Sequence, residues 1–356
     1  MSTSSGQVPQ AVLARYGALA NARTQPLQGG LINDTFLAEG DISAVVQKLH
    51  PIFEGQVNDD IDVITGFLAA KGLPTPRLIR TDDGQSCVVS HGERPWRAIT
   101  FIPGRTYARL QSPQMAREAG ALAGRFHAAL ADLRHDYAFS RGNVHDTQRH
   151  VANLQKALTE CTAHRLYDEV AALADPILAQ AARLPDFSHL PLRHSHGDLK
   201  VSNLRFDEED KGLCLLDLDT LSRMIWPFEM GDAFRSWCNP GGEDEGEVHF
   251  DLNLFQAAIG GYAEAAGNFL LPGEIDALTD GIRTISLELS VRFLADALQE
   301  TYFGFDAARY PSRGEHNLLR AKGQWALFRS LSAQQEAARG IVTEAFARKN
   351  PLAEAD

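Results

Sequence analysis

The chain has 356 residues, of which 44% are hydrophobic and 22% are charged. This balance is typical of a globular protein and excludes a disordered or fibrous chain. The length exceeds what one ordinary hydrophobic core uses, so two domains or lobes are expected. A formal net charge of -12 argues against general attraction to nucleic-acid phosphate. It leaves room for a small phosphorylated ligand, because a local cluster of cations can outweigh the global charge.

Cysteine usage and the amino terminus indicate the compartment. The four cysteines lie far apart and form no C-x-x-C pair, which is typical of reduced thiols in a cytoplasmic protein. The first ten residues, MSTSSGQVPQ, lack the basic start and the apolar stretch of a secretion signal. No segment approaches the roughly 18 apolar residues that a membrane span requires. We therefore expect a soluble cytoplasmic protein with no membrane partner, and the sequence leaves its oligomeric state open.

The first hundred residues combine strand and turn signals with one helical segment. AVLARYGAL (11–19) has the spacing of a short helix. Paired glycines at 29 and 30 stand in the first strand of a hairpin, and its second strand is predicted at 44–49. Residues 57–71 carry apolar side chains at helical intervals. Three more short strands are predicted at 77–80, 86–90 and 96–102. Residues 1–103 are therefore predicted to form a small, mostly antiparallel sheet with one inserted helix.

From residue 113 onward the pattern becomes helical. Helices are predicted at 113–131, 145–163, 165–183, 250–267, 273–303 and 314–348. Between them lies a pair of strand-like segments, 203–206 and 213–218, on either side of a charged turn. A sheet followed by helices favours an α+β protein with segregated layers over alternating βαβ units. We accordingly predict two lobes, 1–103 and 104–356.

One stretch of the helical lobe carries the chemistry. Residues 194–220 read HSHGDLKVSNLRFDEEDKGLCLLDLDT, with Asp198 in a loop and Asn203 and Asp217 on a predicted hairpin. Across such a hairpin, Asn203 and Asp217 would offer hard oxygen ligands to a magnesium ion that also holds substrate phosphates. Asp198 would be free to accept a proton, as in phosphoryl transfer. Single Asp and Asn residues more often cap helices or form turns, but their joint spacing here is far more specific.

These residues resemble a known catalytic core. His196-Gly197-Asp198, Asn203 and Leu215-Leu216-Asp217 are similar to that of the aminoglycoside phosphotransferase and choline kinase-like family, which itself resembles protein kinases. The resemblance implies a protein kinase-like two-lobe fold that uses ATP and Mg²⁺. It implies that Asp198 is the catalytic base and that Asn203 and Asp217 are the magnesium ligands.

The same resemblance assigns two supporting residues. Gly231-Asp232 looks like the later Gly-Asp of the family, whose carboxylate braces the catalytic loop, and His196 is implied to be structural. Asp219 stands where the family often has glycine, so Asp217 and Asp219 both remain candidates for the metal ligand. We prefer Asp217, because it directly follows the apolar strand.

The amino-terminal lobe should then supply the nucleotide pocket. Glycines let backbone amides approach phosphate oxygens closely, so the segment with Gly29, Gly30, Asn33 and Thr35 is predicted to cover the phosphates, although such a pair is more often an ordinary turn. Lys48 is the candidate for the lysine that pairs with the α- and β-phosphates; the alternative is a surface lysine. The 57–71 helix contains no Glu, so Asp62 is its expected acidic partner, with Asp60 behind it. The strand that resembles the family's adenine-binding hinge, and is expected to bind adenine through its backbone, includes Ile99, Phe101 and Ile102.

Further stretches narrow the acceptor. The segments 29–36, 45–50, 196–200, 216–220, 231–235, 292–303 and 316–324 together resemble the N-acetylhexosamine kinases, which phosphorylate the anomeric hydroxyl. The resemblance implies that Lys200, Arg292 and Tyr302 face the sugar. A salt bridge to Glu288 is the plain alternative for Arg292, and a core position is the alternative for Tyr302.

Two other functions remain open on the sequence. The acidic segment GGEDEGE (241–247) suits a kinase of the same fold that acts on a cationic acceptor, such as an aminoglycoside, choline or an amino alcohol. A non-catalytic, kinase-like scaffold is the other, although all three catalytic residues are present. The sequence leaves the sugar epimer and the preferred nucleotide undetermined.

Overall fold

A computed structural model describes residues 7–27, 33–89, 94–139, 142, 144–246 and 248–347. The amino-terminal part is a five-stranded antiparallel sheet in the order β1-β2-β3-β5-β4. Its strands are β1 (Arg23–Pro26), β2 (Asp34–Glu39), β3 (Ser43–Lys48), β4 (Leu78–Ile79) and β5 (Trp96–Thr100). Two helices accompany it, α1 (Gln10–Leu13) and α2 (Val57–Ala70).

Alternation along the strands gives this sheet two different faces. Ala44, Val46 and Ala98 are fully buried and pack against α1. Side chains at the intervening positions of β3 and β5 point to the other face, because successive residues of a strand alternate sides. The predicted hairpin is therefore β2–β3, with its turn at Gly40. Its first strand begins after the paired glycines, and the described part of the predicted strand 86–90, residues 86–89, contributes a single isolated bridge, at Val88.

The remainder is mainly helical. Its helices are α3 (Pro113–Leu130), α4 (Thr147–Glu160), α5 (Tyr167–Ala181), α6 (Trp226–Trp237), α7 (Leu252–Ala266), α8 (Pro272–Asp276), α9 (Leu278–Gln299), α10 (Arg313–Ala333) and α11 (Gln335–Ala347). Two small antiparallel sheets pair β6 (Leu192–Ser195) with β9 (Ser222–Ile225) and β7 (Leu204–Phe206) with β8 (Gly212–Leu215). The predicted α+β, protein kinase-like fold, a small antiparallel sheet followed by a larger helical region, is confirmed.

Several elements differ from the sequence prediction. The segments 273–303 and 314–348 each form two helices, and α6 and the β6–β9 pair were not predicted. Helix α9 lies at the centre of the helical part and is buried on nearly all sides. None of the helices in the described ranges is long and apolar enough to cross a membrane. The lobe boundary at residue 103 stays a prediction.

Candidate active site

The two small sheets position two loops side by side. Strand β6 ends at Ser195 and leads into the loop with Asp198, and β8 ends at Leu215 just before Asp217. The amide of Leu216 donates to the carbonyl of Asn203 at 2.8 Å, which continues the β7–β8 ladder. The hairpin predicted from the sequence therefore forms, and it brings the backbone at Asn203 next to the start of the 217–219 segment.

Asp198 lies at the centre of a short hydrogen-bond network. Its Oδ2 accepts from Lys200 Nζ at 2.6 Å and from Asn203 Nδ2 at 3.0 Å. The same Asn203 nitrogen donates to the Asp198 carbonyl at 2.8 Å. Two acceptors thus fix which end of the amide is nitrogen and leave its oxygen free for another ligand. Within the described residues, Asp198 Oδ1 accepts no hydrogen bond and is free to take a proton.

The Lys200 ammonium is held in its charged form. Burial disfavours this charge, but the nearby carboxylates of Asp198 and Asp217 outweigh burial and raise the pKa of Lys200. A permanent cation therefore lies within hydrogen-bond distance of the predicted base.

The catalytic loop is anchored by Glu229 in the first turn of α6. Its two carboxylate oxygens accept from the amides of His196 at 2.8 Å and Gly197 at 3.0 Å. His196 also contacts the carbonyl of Leu216 through Nε2 at 2.8 Å, which ties the two loops together. Gly197 has a φ of 81°, and an added Cβ would lie 2.4 Å from the carbonyl oxygen of Thr220, so this position requires glycine.

The carboxylate that braces the loop is therefore Glu229, whereas the sequence prediction assigned this contact to Asp232. Asp232 instead pairs with Arg235, whose Nε donates at 2.9 Å. Burial would raise the pKa of Asp232, but the charges of Arg235 and His145 lower it. The adjacent Gly231 lets α6 approach α9 closely, since a Cβ there would lie 2.9 Å from the carbonyl oxygen of Gly281.

The two candidate metal ligands have different surroundings. Asp217 is half-buried in a left-handed conformation (φ 59°, ψ 60°), which is uncommon for a residue other than glycine. Burial and the charges of Asp219 and Asp198 raise its pKa to about 6. Asp219 is buried and pairs with the guanidinium of Arg97, and it also accepts from Asn33 Nδ2 at 2.6 Å.

The donor set suits a divalent cation. Asp217 lies near two other carboxylates and has no hydrogen bond or ion pair within the described residues, so a cation beside it would relieve the repulsion. The free amide oxygen of Asn203 supplies a second hard ligand. No group of three His, Cys, Asp or Glu side chains in the described ranges could hold a metal alone. This fits magnesium, which takes one or two protein ligands and completes its shell with water and substrate phosphates.

Lys48 lies on the wrong face of the sheet for its predicted role. It shares the α1 face with Val46, and its Nζ lies 5.5 Å from the ring centroid of Trp96. The opposite face presents Gln47 and Arg97, which are cross-strand partners, with Arg97 Nε 2.9 Å from Gln47 Oε1. Arg97 also contacts Asp219. Of Lys48 and Arg97, it is therefore Arg97 that lies on the side of the loops with Asp198 and Asp217.

The predicted acidic partner of Lys48 is also engaged elsewhere. Asp62 accepts from Arg80 at 2.5 Å. Asp60 accepts from the amides of Ala138 and Phe139, each at 2.9 Å, and its Oδ1 lies 2.8 Å from the His135 ring. Neither of these two carboxylates forms an ion pair with Lys48, because Asp62 pairs with Arg80 and Asp60 holds a loop of the helical part.

The other predicted nucleotide-binding residues fall into two groups. Gly29 and Gly30 lie outside the described residues, whereas Asn33 is 7% exposed and Thr35 contacts Gln47 at 3.2 Å. Ile99 is half-buried in β5, and Phe101 and Ile102 follow it as the connection to the helical part. The carbonyl of Ile102 accepts from Arg205 Nε at 3.0 Å, and that guanidinium lies 5.5 Å from the Phe101 ring centroid.

Arg292 and Tyr302, which are predicted to face the acceptor, lie close together, and the part of the site around them is called the acceptor side for that predicted role. The guanidinium carbon of Arg292 is 6.0 Å from the Tyr302 ring centroid, and Tyr302 is 59% exposed. Arg292 also comes within 4.0 Å of the buried Glu288, so the plain alternative weighed for it is present at the same time. Glu288 is held mainly by His145, at 2.9 Å. His145 in turn acts electrostatically on Asp232, as Lys200 does.

The loop that carries Tyr302 is held by one buried carboxylate. Asp296 accepts from the amides of Thr301, Tyr302 and Phe303, each at 2.8 Å. It also accepts from Asn317 Nδ2 at 2.8 Å. The Tyr302 backbone is thus fixed while its ring stays exposed, which suits contact with a ligand. The sequence interpretation did not identify Asp296, because its partners lie just past the helix end and on α10.

The fold is shared with solved structures of small-molecule kinases. An aminoglycoside phosphotransferase from Alicyclobacillus acidocaldarius has 16% identity and a TM-score of 0.61, covering 94% of this chain and 98% of that one. A choline/ethanolamine kinase family protein from Mesorhizobium loti has 17% identity and a TM-score of 0.55, covering 95% and 98%. The amicoumacin kinase hAmiN, solved with AMP-PNP, Ca²⁺ and Ami, has 14% identity and a TM-score of 0.54, covering 90% and 88%.

The sequence itself matches a family over most of the site. Residues 23–267 match the APH family, the phosphotransferase enzyme family. This range is more than half of the chain, and it includes Asp198, Asn203 and Asp217. It ends before Arg292 and Tyr302, so the acceptor side lies outside the matched part. The chain belongs to the APH phosphotransferase enzyme family, and it is a phosphotransferase with an alcohol group as acceptor.

Proposed function

We propose that the protein is an ATP- and Mg²⁺-dependent kinase that phosphorylates the anomeric hydroxyl of an N-acetylhexosamine, giving the sugar 1-phosphate. Support for the nucleotide and metal comes from the donor set of Asn203 and Asp217 and from the structural similarity to a kinase solved with AMP-PNP and Ca²⁺. Support for a neutral acceptor comes from the charge balance beside Asp198, which is the observation that carries the proposal.

Two carboxylates near the predicted acceptor-binding residues are already engaged by neighbouring side chains. Asp232 pairs with Arg235, and Glu288 lies within hydrogen-bond distance of His145. Lys200 contributes a further positive charge next to Asp198. Pockets for aminoglycosides or choline need unpaired negative charge to hold a cation, whereas Asp232 and Glu288 are both already engaged by neighbouring side chains. An uncharged sugar does not need such a charge.

The acidic 241–247 segment does not restore that charge. Glu243 accepts from Arg235 at 3.2 Å. Asp244 lies between Arg320, at 2.7 Å, and His316, at 2.9 Å. Glu247 lies outside the described residues. Two of the segment's four acids, Glu243 and Asp244, are therefore engaged in internal contacts, and Glu245 is exposed to solvent. A solvated surface run accounts for such a segment without a cationic acceptor.

The chain's own residues can carry out the transfer to such a hydroxyl. The bound magnesium would neutralise the phosphates of the nucleotide. Asp198 Oδ1 would accept the hydroxyl proton, while Lys200 and Asn203 hold Oδ2 and fix the carboxylate orientation. Arg292 and Tyr302 would position the sugar, the first by donating hydrogen bonds and the second by offering a ring face. Positioning supplies most of the catalysis in phosphoryl transfer, and the anomeric hydroxyl is the most acidic of the ring hydroxyls.

An acceptor panel with ATP and MgCl₂ tests the proposal. ADP release should be fastest with N-acetylglucosamine or N-acetylgalactosamine, and slow with choline, ethanolamine and kanamycin. The methyl glycosides of the same sugars are matched controls, because they block only the anomeric oxygen. We expect no release above background with them, and phosphorus-coupled splitting of the anomeric proton in the NMR spectrum of the product.

Two results would overturn the sugar assignment. If a methyl glycoside were turned over at the rate of the free sugar, the phosphorylated position would be a hydroxyl other than the anomeric one. Faster turnover of choline or kanamycin than of either sugar would assign a cationic acceptor, with the phosphotransferase activity retained.

A further inference from the structure

We infer that Asp219, Arg97 and Asn33 form an inter-lobe clamp that sets the position of the metal loop, so that Asp219 acts as a positioning residue for Asp217. The clamp joins Arg97 on β5 and Asn33, which precedes β2, to the 217–219 segment. This segment is the metal loop. It concerns the nucleotide side of the site and is independent of which alcohol accepts the phosphate. It rests on the proposed metal role of Asp217.

Each carboxylate oxygen of Asp219 has its own partner from the sheet. Oδ1 accepts from Arg97 Nη1 and Oδ2 accepts from Asn33 Nδ2. Asp219 and Arg97 are each 2% exposed, so water does not compete for these contacts. The two donors come from positions 122 and 186 residues away in the sequence, and both lie in the amino-terminal sheet region.

The partners are themselves held, so the clamp is stiff. Arg97 donates through Nε and Nη2 to Gln47 Oε1, at 2.9 Å and 2.7 Å. Asn33 Oδ1 accepts from the amide of His50 at 2.8 Å. Every side chain in the chain of contacts is thus fixed by a second strand or linker of the sheet. Opening the two lobes at this point would expose a buried charge pair.

The clamp holds the short turn that directly follows Asp217. Asp217 is in a left-handed conformation two residues before Asp219. Leu218–Thr220 then forms a 3-10 turn that contains Asp219 and precedes β9. A buried ion pair adds little net stability relative to apolar side chains of the same size, so its main consequence here is geometric. Holding Asp219 fixes the turn and with it the direction of the Asp217 carboxylate. Asn33 belongs to the predicted phosphate-covering segment, so its contact with Asp219 links that residue of the segment to the metal loop.

Calorimetry with and without magnesium tests the clamp. For Asp219→Asn we expect affinity for Mg²⁺–AMP-PNP to fall at least tenfold, while affinity for AMP-PNP in EDTA stays within threefold of the parent. Arg97→Lys retains the charge but loses the second hydrogen-bonding arm, and a smaller drop of the same kind is expected. Asn33→Ala removes one contact without unpairing a charge, and it remains informative if Asp219→Asn does not fold.

The matched control is Glu274→Gln, which breaks the ion pair of the buried Glu274 with Arg193 of β6, at 2.5 Å, and leaves every contact of Asp219 in place. It should lower the melting temperature and leave both nucleotide affinities unchanged. Metal-dependent affinity within threefold of the parent in Asp219→Asn, or in Asn33→Ala if the former is unfolded, would overturn the inference. Equal losses with and without magnesium would also overturn it, because they indicate general damage. A parent that does not bind Mg²⁺–AMP-PNP would instead refute the proposed nucleotide and metal.

Discussion

The nucleotide–metal side and the acceptor side of the site are built differently. Around Asp198 and Asp217, short contacts come from a single stretch of 27 residues and from the sheet above it, and most of the side chains are buried. On the acceptor side, Tyr302 is 59% exposed and Arg292 is half-buried, and the two meet through ring and charge contacts.

This difference separates what the reaction needs from what the substrate needs. Phosphoryl transfer requires fixed geometry for base, metal and phosphate, which a network of buried charges supplies. An exposed aromatic ring and a loosely paired guanidinium are compatible with many ligands. The family match stops at residue 267, before both of these side chains. If Arg292 and Tyr302 bind the acceptor as proposed, acceptor choice would depend on α9 and the loop after it, outside the matched part.

Replacing the predicted base should have the largest effect. Asp198→Ala removes the proton acceptor and the partner of Lys200 and Asn203, so we expect turnover to fall at least about 10³-fold. Calorimetry should show nucleotide affinity within a few-fold of the parent, because the metal ligands remain. Turnover within tenfold of the parent would remove Asp198 from this role.

Replacing the acceptor side should affect substrate binding alone. Tyr302→Ala and Arg292→Gln should each raise the acceptor KM about 10-fold, since each removes an aromatic or charged contact worth roughly 1–2 kcal/mol. The KM for ATP should not change. Phe228→Leu is a half-buried aromatic control near His145, outside the residues proposed to bind the acceptor. An unchanged acceptor KM in both variants would place the acceptor elsewhere and would remove the contrast between the two sides.

Local sequence predicted that the residues proposed for the metal side would lie close together, because they are neighbours in the chain. Asp198, Asn203 and Asp217 fall on one loop and one hairpin, and hairpin pairing follows from the turn between the strands. The preference for Asp217 over Asp219 stays a prediction, and the structure adds that Asp219 is engaged by a residue 122 positions away. A contact of that range leaves no local signal.

Strand register explains the error at Lys48. Gln47 and Lys48 are adjacent, and a shift of one residue exchanges the two faces of a strand. The sequence shows a cation here but not which face it is on. Helix α6 was missed for a different reason, because Pro227 and Gly231 read as breakers although proline is well tolerated in the first turn. Glu229, the acid that braces the loop, was missed together with that helix.

The charge of Asp217 should lower the stability of the folded protein when no metal is bound. Asp217 has a pKa of about 6 when folded, above its ordinary value of 3.8, because burial and Asp219 disfavour its charge. Between these values the folded protein binds more protons than the unfolded chain, so this group's contribution to stability is complete below about pH 3.8 and lost as pH rises through 6. At pH 7.5 the ionised carboxylate should cost about 1–3 kcal/mol, allowing for its partial exposure.

Asp217→Asn should therefore stabilise the metal-free protein while removing a metal ligand. In EDTA at pH 7.5 we expect its melting temperature to exceed that of the parent by a few degrees, and the difference should shrink toward pH 4.5. With Mg²⁺ and AMP-PNP the order should reverse, because only the parent gains stability by binding. Asp62→Asn is the control, since Asp62 pairs with Arg80 in the sheet lobe and should give no such reversal. If Asp217→Asn is less stable than the parent in EDTA at pH 7.5, then the carboxylate is not strained there. The buried charges of the metal side would then be balanced without metal, and the reason for expecting a cation at Asp217 would be lost.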